Sequence, residues 1–220
     1  MSNREKNTAN PATRRTRVKI CGITNCADAQ LACDYGADAI GLVFYPPSPR
    51  YVSLEQAAKV VDSLPPFVSS VALFVNAQRQ EIENVLNQTA IDIIQFHGDE
   101  TAEFCRSFNR PYIKAIRMKE GLDLYAVQKE YACARGLLLD TYKKGVPGGT
   151  GESFNWEKVP HDLNKPIILA GGLLADNVAQ AIKQVQPYAV DVSGGVEASK
   201  GKKDREKIIR FMESVKSSLK

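Results

Sequence analysis

No stretch of this 220-residue sequence approaches 18 uninterrupted apolar residues, so none reads as a transmembrane helix. The start, MSNREKNTANPATRRTR, has no apolar core of the kind a secretory signal needs. The five cysteines, Cys21, Cys26, Cys33, Cys105 and Cys133, form no CxxC pair and no disulfide framework, so a reducing, cytoplasmic setting is expected. Histidine is scarce as well. His97 and His161 are the only two, and without an organised set of acidic partners they do not make a metal site, so no metal is expected. A nicotinamide fingerprint is missing: Cys21-Gly22-Ile23-Thr24-Asn25 stands where GxGxxG would lie. GGTG at 148–151 runs into Glu152 and Ser153 and lacks the lysine of a Walker loop.

Charge of one sign is also short over most of the chain. Arg4, Lys6, Arg14, Arg15 and Arg17 against Glu5 give residues 1–17 the whole of the net charge of +4, which leaves the remainder neutral. Residues 1–17 read as a disordered basic tail, and a neutral body without a dispersed aromatic and basic surface argues against nucleic acid as a partner. What is abundant is apolar sequence, at 44%, enough for one sizeable core.

From Val18 onward a short β-rich run, a few polar or glycine residues and a helix-period segment repeat. Strands are predicted at 18–23, 39–44, 70–75, 91–96, 112–117, 136–141, 166–170 and 188–193. Helices are predicted at 26–35, 54–64, 78–88, 100–108, 123–134, 176–185 and 204–217, with only a poor sixth helix between Asn155 and Asp162. Asn25 and Asp99 are placed as N-caps, and Ser53 with Gln56 forms a capping-box pattern. Eight strand–helix units favour a closed (β/α)8 barrel at 18–220, as a single domain, over an open doubly wound sheet.

A barrel of this kind carries its chemistry at the C-terminal ends of its strands. The polar residues there are Cys21, Arg50, Asn76, His97, Arg117, Asp140 and Asp191, with Gly171-Gly172 and Gly194-Gly195 after the last two strands. Cys21 is either a small core residue or a base. Lys19 shares its strand face and would favour a thiolate, while its charge-poor surroundings give the lysine little structural reason to be inside. Asp140, after three leucines, must be hydrogen-bonded, paired or protonated, and desolvation is how a carboxyl becomes a general acid near neutral pH. Asp191 could orient a substrate hydroxyl or order its loop. His97 could meet a ligand or make a structural hydrogen bond, and His161 reads as a surface turn residue. The two glycine pairs suit an anion, with a short helix expected just beyond Gly195. Arg50 lies in a proline-stiffened loop, YPPSPRYVS, and its fork would match a carboxylate. The glycine-rich stretch 145–156 could cover the site or merely replace a helix, with Phe154 and Trp156 anchoring it on the barrel.

Nine segments then carry a resemblance: VKICGIT at 18–24, GADAIGLVFYPPSPRYVS at 36–53, ALFVN at 72–76, IIQFHGDE at 93–100, LLLDT at 137–141, GGTGESFNW at 148–156, LAGGL at 169–173, NV at 177–178 and DVSGGVE at 191–197. Together they resemble the phosphoribosylanthranilate isomerases of tryptophan biosynthesis. The resemblance implies a (β/α)8 barrel, no cofactor, a small phosphorylated substrate and no obligate protein partner. It also implies an Amadori rearrangement of N-(5-phosphoribosyl)anthranilate. By the same resemblance Cys21 matches the general base, Asp140 the general acid, Arg50 the arginine for the anthranilate carboxylate, and the two glycine loops the phosphate site. The sequence departs from the family in having QFHG for the usual QLHG, SGGVE for SSGVE and Asn155 where FDW is common. Another phosphosugar enzyme of the same fold, such as a histidine-pathway isomerase or indole-glycerol-phosphate synthase, is the alternative within enzymes. The former would show two-half repetition with an aspartate near the first strand, and the latter a lysine and glutamate set. A non-enzymatic ligand-binding or nucleic-acid-binding protein is the alternative outside them.

Overall fold

In the computed structural model, residues 15–141 and 155–218 are described. Eight parallel strands close into a barrel in sequence order: β1 (Arg17–Cys21), β2 (Ala39–Val43), β3 (Ser69–Phe74), β4 (Ile93–Phe96), β5 (Tyr112–Met118), β6 (Gly136–Thr141), β7 (Ile167–Leu169) and β8 (Ala189–Val192). β1 closes on β8 with Lys19 opposite Asp191 and Ile20 opposite Val192. Among the described residues seven helices accompany them: α1 (Cys26–Asp34), α2 (Leu54–Asp62), α3 (Arg79–Gln88), α4 (Ala102–Arg106), α5 (Leu124–Glu130), α6 (Val178–Val185) and α7 (Arg205–Ser217). Between β6 and β7 the described residues hold one 3-10 turn, Trp156–Lys158, where the sequence offers only a poor helix. Trp156 packs there against the core between barrel and helices. The rest of the expected cover, including Phe154, and residues 1–14 of the expected tail lie outside the described residues. Arg17 already belongs to β1, and Thr16 before it is buried.

Strand alternation sorts the side chains into two layers. Val18, Ile20, Ile40, Leu42, Ala72, Phe74, Ile94, Phe96, Leu137, Leu139 and Val190 face outward into the main core beneath the helices. Val71, Ile113, Ala115, Leu138, Ile168, Ala170 and Ala189 fill the barrel interior, and Cys21, Val43 and Leu73 form a smaller cluster. With polar side chains above this apolar plug, the barrel is a packed support with a polar mouth.

Local signals set the helix starts. Asn25 accepts from the Asp28 N–H at 2.8 Å, and Ser53 with Gln56 makes the reciprocal capping box. Asp99 does not cap α4. The Asp99 N–H is held by Asn76 Oδ1, and the chain takes a further turn in which Glu100 points inward, so Thr101 becomes the cap and accepts from the Phe104 N–H. A hairpin absent from the sequence reading, β9 (Glu197–Ser199) with β10 (Lys202–Lys203), follows β8 before α7.

Candidate active site

Cys21 and Lys19 point into the barrel together because β2 offers them a glycine. A Cβ on Gly41 would lie 2.7 Å from Cys21 Sγ and 3.0 Å from Lys19 Nζ. Lys19 is 4% exposed and its Nζ donates to Asp191 Oδ1 at 2.7 Å, so the lysine has the structural reason to be inside that its sequence neighbourhood hides. Burial opposes the ammonium form, but Asp191 and the neighbouring thiol outweigh it and hold Lys19 above its ordinary pKa. The thiol, whose protonation state the sequence leaves open, feels its neighbours with opposite signs. Burial pushes Cys21 up, Lys19 pulls it down, and Asp191 pushes it up again, so its resting form is the thiol.

Asp140, the penultimate residue of β6, lies on the same inward face and is 6% exposed. Its Oδ1 accepts from the Thr141 N–H at 2.8 Å, and its Oδ2 lies 3.1 Å from His97 Nε2. The other ring nitrogen, His97 Nδ1, lies 2.9 Å from Gln95 Nε2. Gly171, at φ +82°, lets the loop after β7 press against this corner: a Cβ there would fall 2.2 Å from Thr141 Oγ1 and 2.9 Å from Asp140 Oδ1. Arg117, opposite Asp140 in register, reaches the His97 carbonyl at 3.4 Å and Asp99 at 3.7 Å. Asn76, at φ +51°, spends its side-chain oxygen on the Asp99 N–H and so clasps two loops. Below it Glu100 receives the N–H groups of Asn76 and Gly98, and the buried Lys114 donates to Glu100 at 2.8 Å and to the Gly98 carbonyl at 2.6 Å.

The late loops meet. A Cβ on Gly195 would lie 2.1 Å from the Leu173 carbonyl oxygen, so the LAGGL and SGGVE segments touch through that glycine. The expected helix begins earlier than predicted, as a 3-10 turn over Gly194–Val196 that contains both glycines. The first N–H groups of such a turn have no acceptor within it, which leaves Gly194 and Gly195 as available donors. Ser193 Oγ, buried beside Gly22, has no hydrogen-bond partner among the described residues.

Two nitrogens of the Arg50 fork, expected to meet a substrate carboxylate, are already engaged. Its Nε and Nη2 hold both oxygens of Glu197 at 2.8 and 2.7 Å, because β9 brings that carboxylate back across the mouth. Lys203 completes the cluster, donating to Glu197 Oε1 at 2.9 Å, to the Cys21 carbonyl at 2.7 Å and to the Ser193 carbonyl at 3.2 Å. Burial holds Lys203 below its ordinary pKa despite Glu197; burial would raise Glu197, but Arg50 and Lys203 keep it low. Sequence reading missed Glu197, Lys203 and Gln95. Only Gln95 left a signal, an amide in the middle of the apolar run IIQF. His161 is exposed, as expected. A separate surface cavity of about 700 Å³, around Arg110, Tyr112 and Cys133 where β5 and β6 begin, contains none of these residues.

Comparison with known proteins fits this arrangement. The family model described as N-(5'phosphoribosyl)anthranilate (PRA) isomerase matches residues 18–214. The chain belongs to that family. Among curated PRA isomerases, that of Pseudomonas syringae pv. syringae (strain B728a) is 61% identical over 199 residues, covering 90% of this chain and 97% of the relative. The Pseudomonas putida (strain GB-1) enzyme is 60% identical over 202 residues, covering 92% and 98%. The crystal structure of the Thermotoga maritima PRA isomerase superposes with a TM-score of 0.85 at 41% identity, covering 92% of this chain and 99% of that one. Another PRA isomerase structure, in complex with reduced 1-(o-carboxyphenylamino)-1-deoxyribulose 5-phosphate, superposes with a TM-score of 0.82 at 39% identity, with the same coverage. This chain is thus an isomerase on a TIM barrel.

Proposed function

We propose that the chain converts N-(5-phosphoribosyl)anthranilate to 1-(2-carboxyphenylamino)-1-deoxy-ribulose 5-phosphate, with Asp140 as general acid and Cys21 as general base. One observation carries this reading: Cys21 on β1 and Asp140 on β6 face the same barrel interior, three strand steps apart around the closed sheet. A sugar lying across that mouth would present its ring oxygen to one group and C2 to the other.

Asp140 gives its proton to the ring oxygen as the C1–O bond breaks, while the anilino nitrogen supplies electrons and becomes an iminium. The iminium acidifies the C2 proton, which Cys21 removes as its thiolate, and the enolamine tautomerises to the ketose. Lys19 and Lys203 favour that thiolate against burial. The touching loops at 171–173 and 193–196 suit the substrate phosphate, and Arg50, steadied by Glu197, keeps Nη1 for the anthranilate carboxylate. Fixing both ends of the substrate orients the reacting bonds between them. The reading includes a cytoplasmic enzyme that needs no obligate protein partner and acts on neither nucleic acid nor membrane. The free state of all five cysteines is in keeping with it.

Cys21→Ala and Asp140→Asn, assayed on freshly generated substrate, are expected to lower kcat by at least about 10², the lower end for general acid–base catalysis, in folded protein. Near-normal turnover in folded Cys21→Ala removes the thiolate from the mechanism.

A further inference from the structure

Gln95 sits in β4 with no exposed surface, facing the barrel interior beside Leu73 of β3, its register partner. Its Nε2 is 2.9 Å from His97 Nδ1, and its Oε1 is buried without a hydrogen-bond partner among the described residues. A buried amide satisfied at one atom only is uncommon, and packing alone favours an apolar residue in such a strand. The half-free amide has a second property. Turned by 180° about its last torsion, it presents Oε1 to His97 in place of Nε2 and makes the same number of hydrogen bonds.

We infer that Gln95 is a positioning residue whose amide serves His97 Nδ1 as donor or as acceptor, so that His97 stays bonded to Asp140 whether or not Asp140 carries its proton. The inference rests on Asp140 being the acid of the proposed reaction. Before chemistry, an Asp140 O–H on Oδ2 donates to His97 Nε2, and the Nδ1–H donates to Gln95 Oε1. Once the proton has moved to the sugar ring oxygen, the carboxylate needs a donor. His97 supplies it as the Nε2–H tautomer, and its bare Nδ1 accepts from Gln95 Nε2.

The switch moves a ring proton from Nδ1 to Nε2 by exchange with water, which reaches a side chain that is 11% exposed. Asp140 takes up a proton again from water before the next turnover. The backbone around the ring does not need to move. Arg117 holds the His97 carbonyl, and Glu100 with Lys114 holds both polar groups of Gly98. A glutamate at position 95 could only accept and a methionine could do neither, so the residue type itself is part of the argument.

Imidazole ¹⁵N NMR reads the tautomer directly, and His161→Asn leaves His97 as the only histidine of the full chain. Unliganded protein with Asp140 ionised is expected to show the Nε2–H form. Gln95→Met should give a mixture of tautomers and a kcat about tenfold lower, with KM within about twofold, while Gln95→Glu should convert His97 to a form protonated at Nδ1. A His97 spectrum unchanged in Gln95→Met overturns the proposal, as does a rise in KM with kcat unaltered. If Gln95→Glu does not fold, Gln95→Met decides by the same two readouts. Full activity of Asp140→Asn would instead remove the acid assignment, and the NMR outcome distinguishes that failure from this one.

Discussion

Lys19 and Asp191 form one buried ion pair, yet they act on Cys21 with opposite sign. Lys19 lowers the thiol pKa and Asp191 raises it. Lys19→Met should therefore make Cys21 harder to ionise, and Asp191→Asn should make it easier. Lys19 Nζ and Cys21 Sγ both border Gly41, and the lysine charge lowers the thiol pKa. Two unit charges about 4 Å apart interact by roughly 4 kcal/mol at an effective dielectric of about 20. Water entering the vacated site screens part of this, and a tenfold change in thiolate population corresponds to about 1.4 kcal/mol. The assay is the alkylation rate of Cys21 at fixed neutral pH, measured as the difference from a Cys21→Ser control because Cys26 and Cys133 are exposed. About tenfold slower alkylation is expected in Lys19→Met and faster alkylation in Asp191→Asn. Each variant also leaves a buried charge without its partner and loses stability, on the order of 3 to 5 kcal/mol. That shared loss is what makes the comparison sharp. If both variants shift the thiol in the same direction, loosened packing is responsible and the electrostatic account of the base is wrong.

The phosphate cradle makes a contrast between adjacent glycines. A Cβ at Gly194 meets only Arg50 Nη2 at 3.5 Å, whereas at Gly195 it would strike the Leu173 carbonyl at 2.1 Å. Gly194→Ser should keep phosphate-analogue affinity, and Gly195→Ala should weaken it about tenfold or more by calorimetry. Amide exchange should show phosphate-dependent protection at 169–173 and 191–197, and equal protection by a dephosphorylated analogue would place the anion elsewhere. Arg50→Ala should weaken productive substrate binding by about 2 to 5 kcal/mol, and should penalise an analogue lacking the anthranilate carboxylate much less. Equal penalties would assign Arg50 to the Glu197 clasp alone. Lys114→Met should cost about 3 kcal/mol in urea unfolding, near the lower end for a broken buried pair because backbone N–H groups still serve Glu100. A loss below about 1 kcal/mol would show that the pair does not carry the loop.

The architecture was legible in the sequence because it depends on local and periodic signals. Eight apolar runs alternated with helix-period segments, and strand parity already put Lys19 with Cys21 on one face. Asn25 and Ser53 cap as their sequences predict because a cap is closed within three residues. Asp99 failed as a cap because a residue 23 positions away, Asn76, holds its N–H. The strand-end rule likewise selected Cys21, Asp140 and both glycine pairs, and family resemblance gave them roles.

What the sequence could not decide was the company each polar group keeps. Asp191 is 172 residues from Lys19, and Glu197 is 147 from Arg50. Nothing local marks either pairing, since each arises only when β8 closes on β1 and the β9–β10 hairpin folds back over the mouth. Burial is likewise a property of the closed barrel, and it raises the pKa of a thiol whose protonation state the sequence left open. Composition and periodicity fixed which residues face inward, because side-chain direction follows from the strand repeat. Tertiary structure alone determined their charge states and free valences, because desolvation and hydrogen bonding depend on neighbours that the chain brings together only on folding.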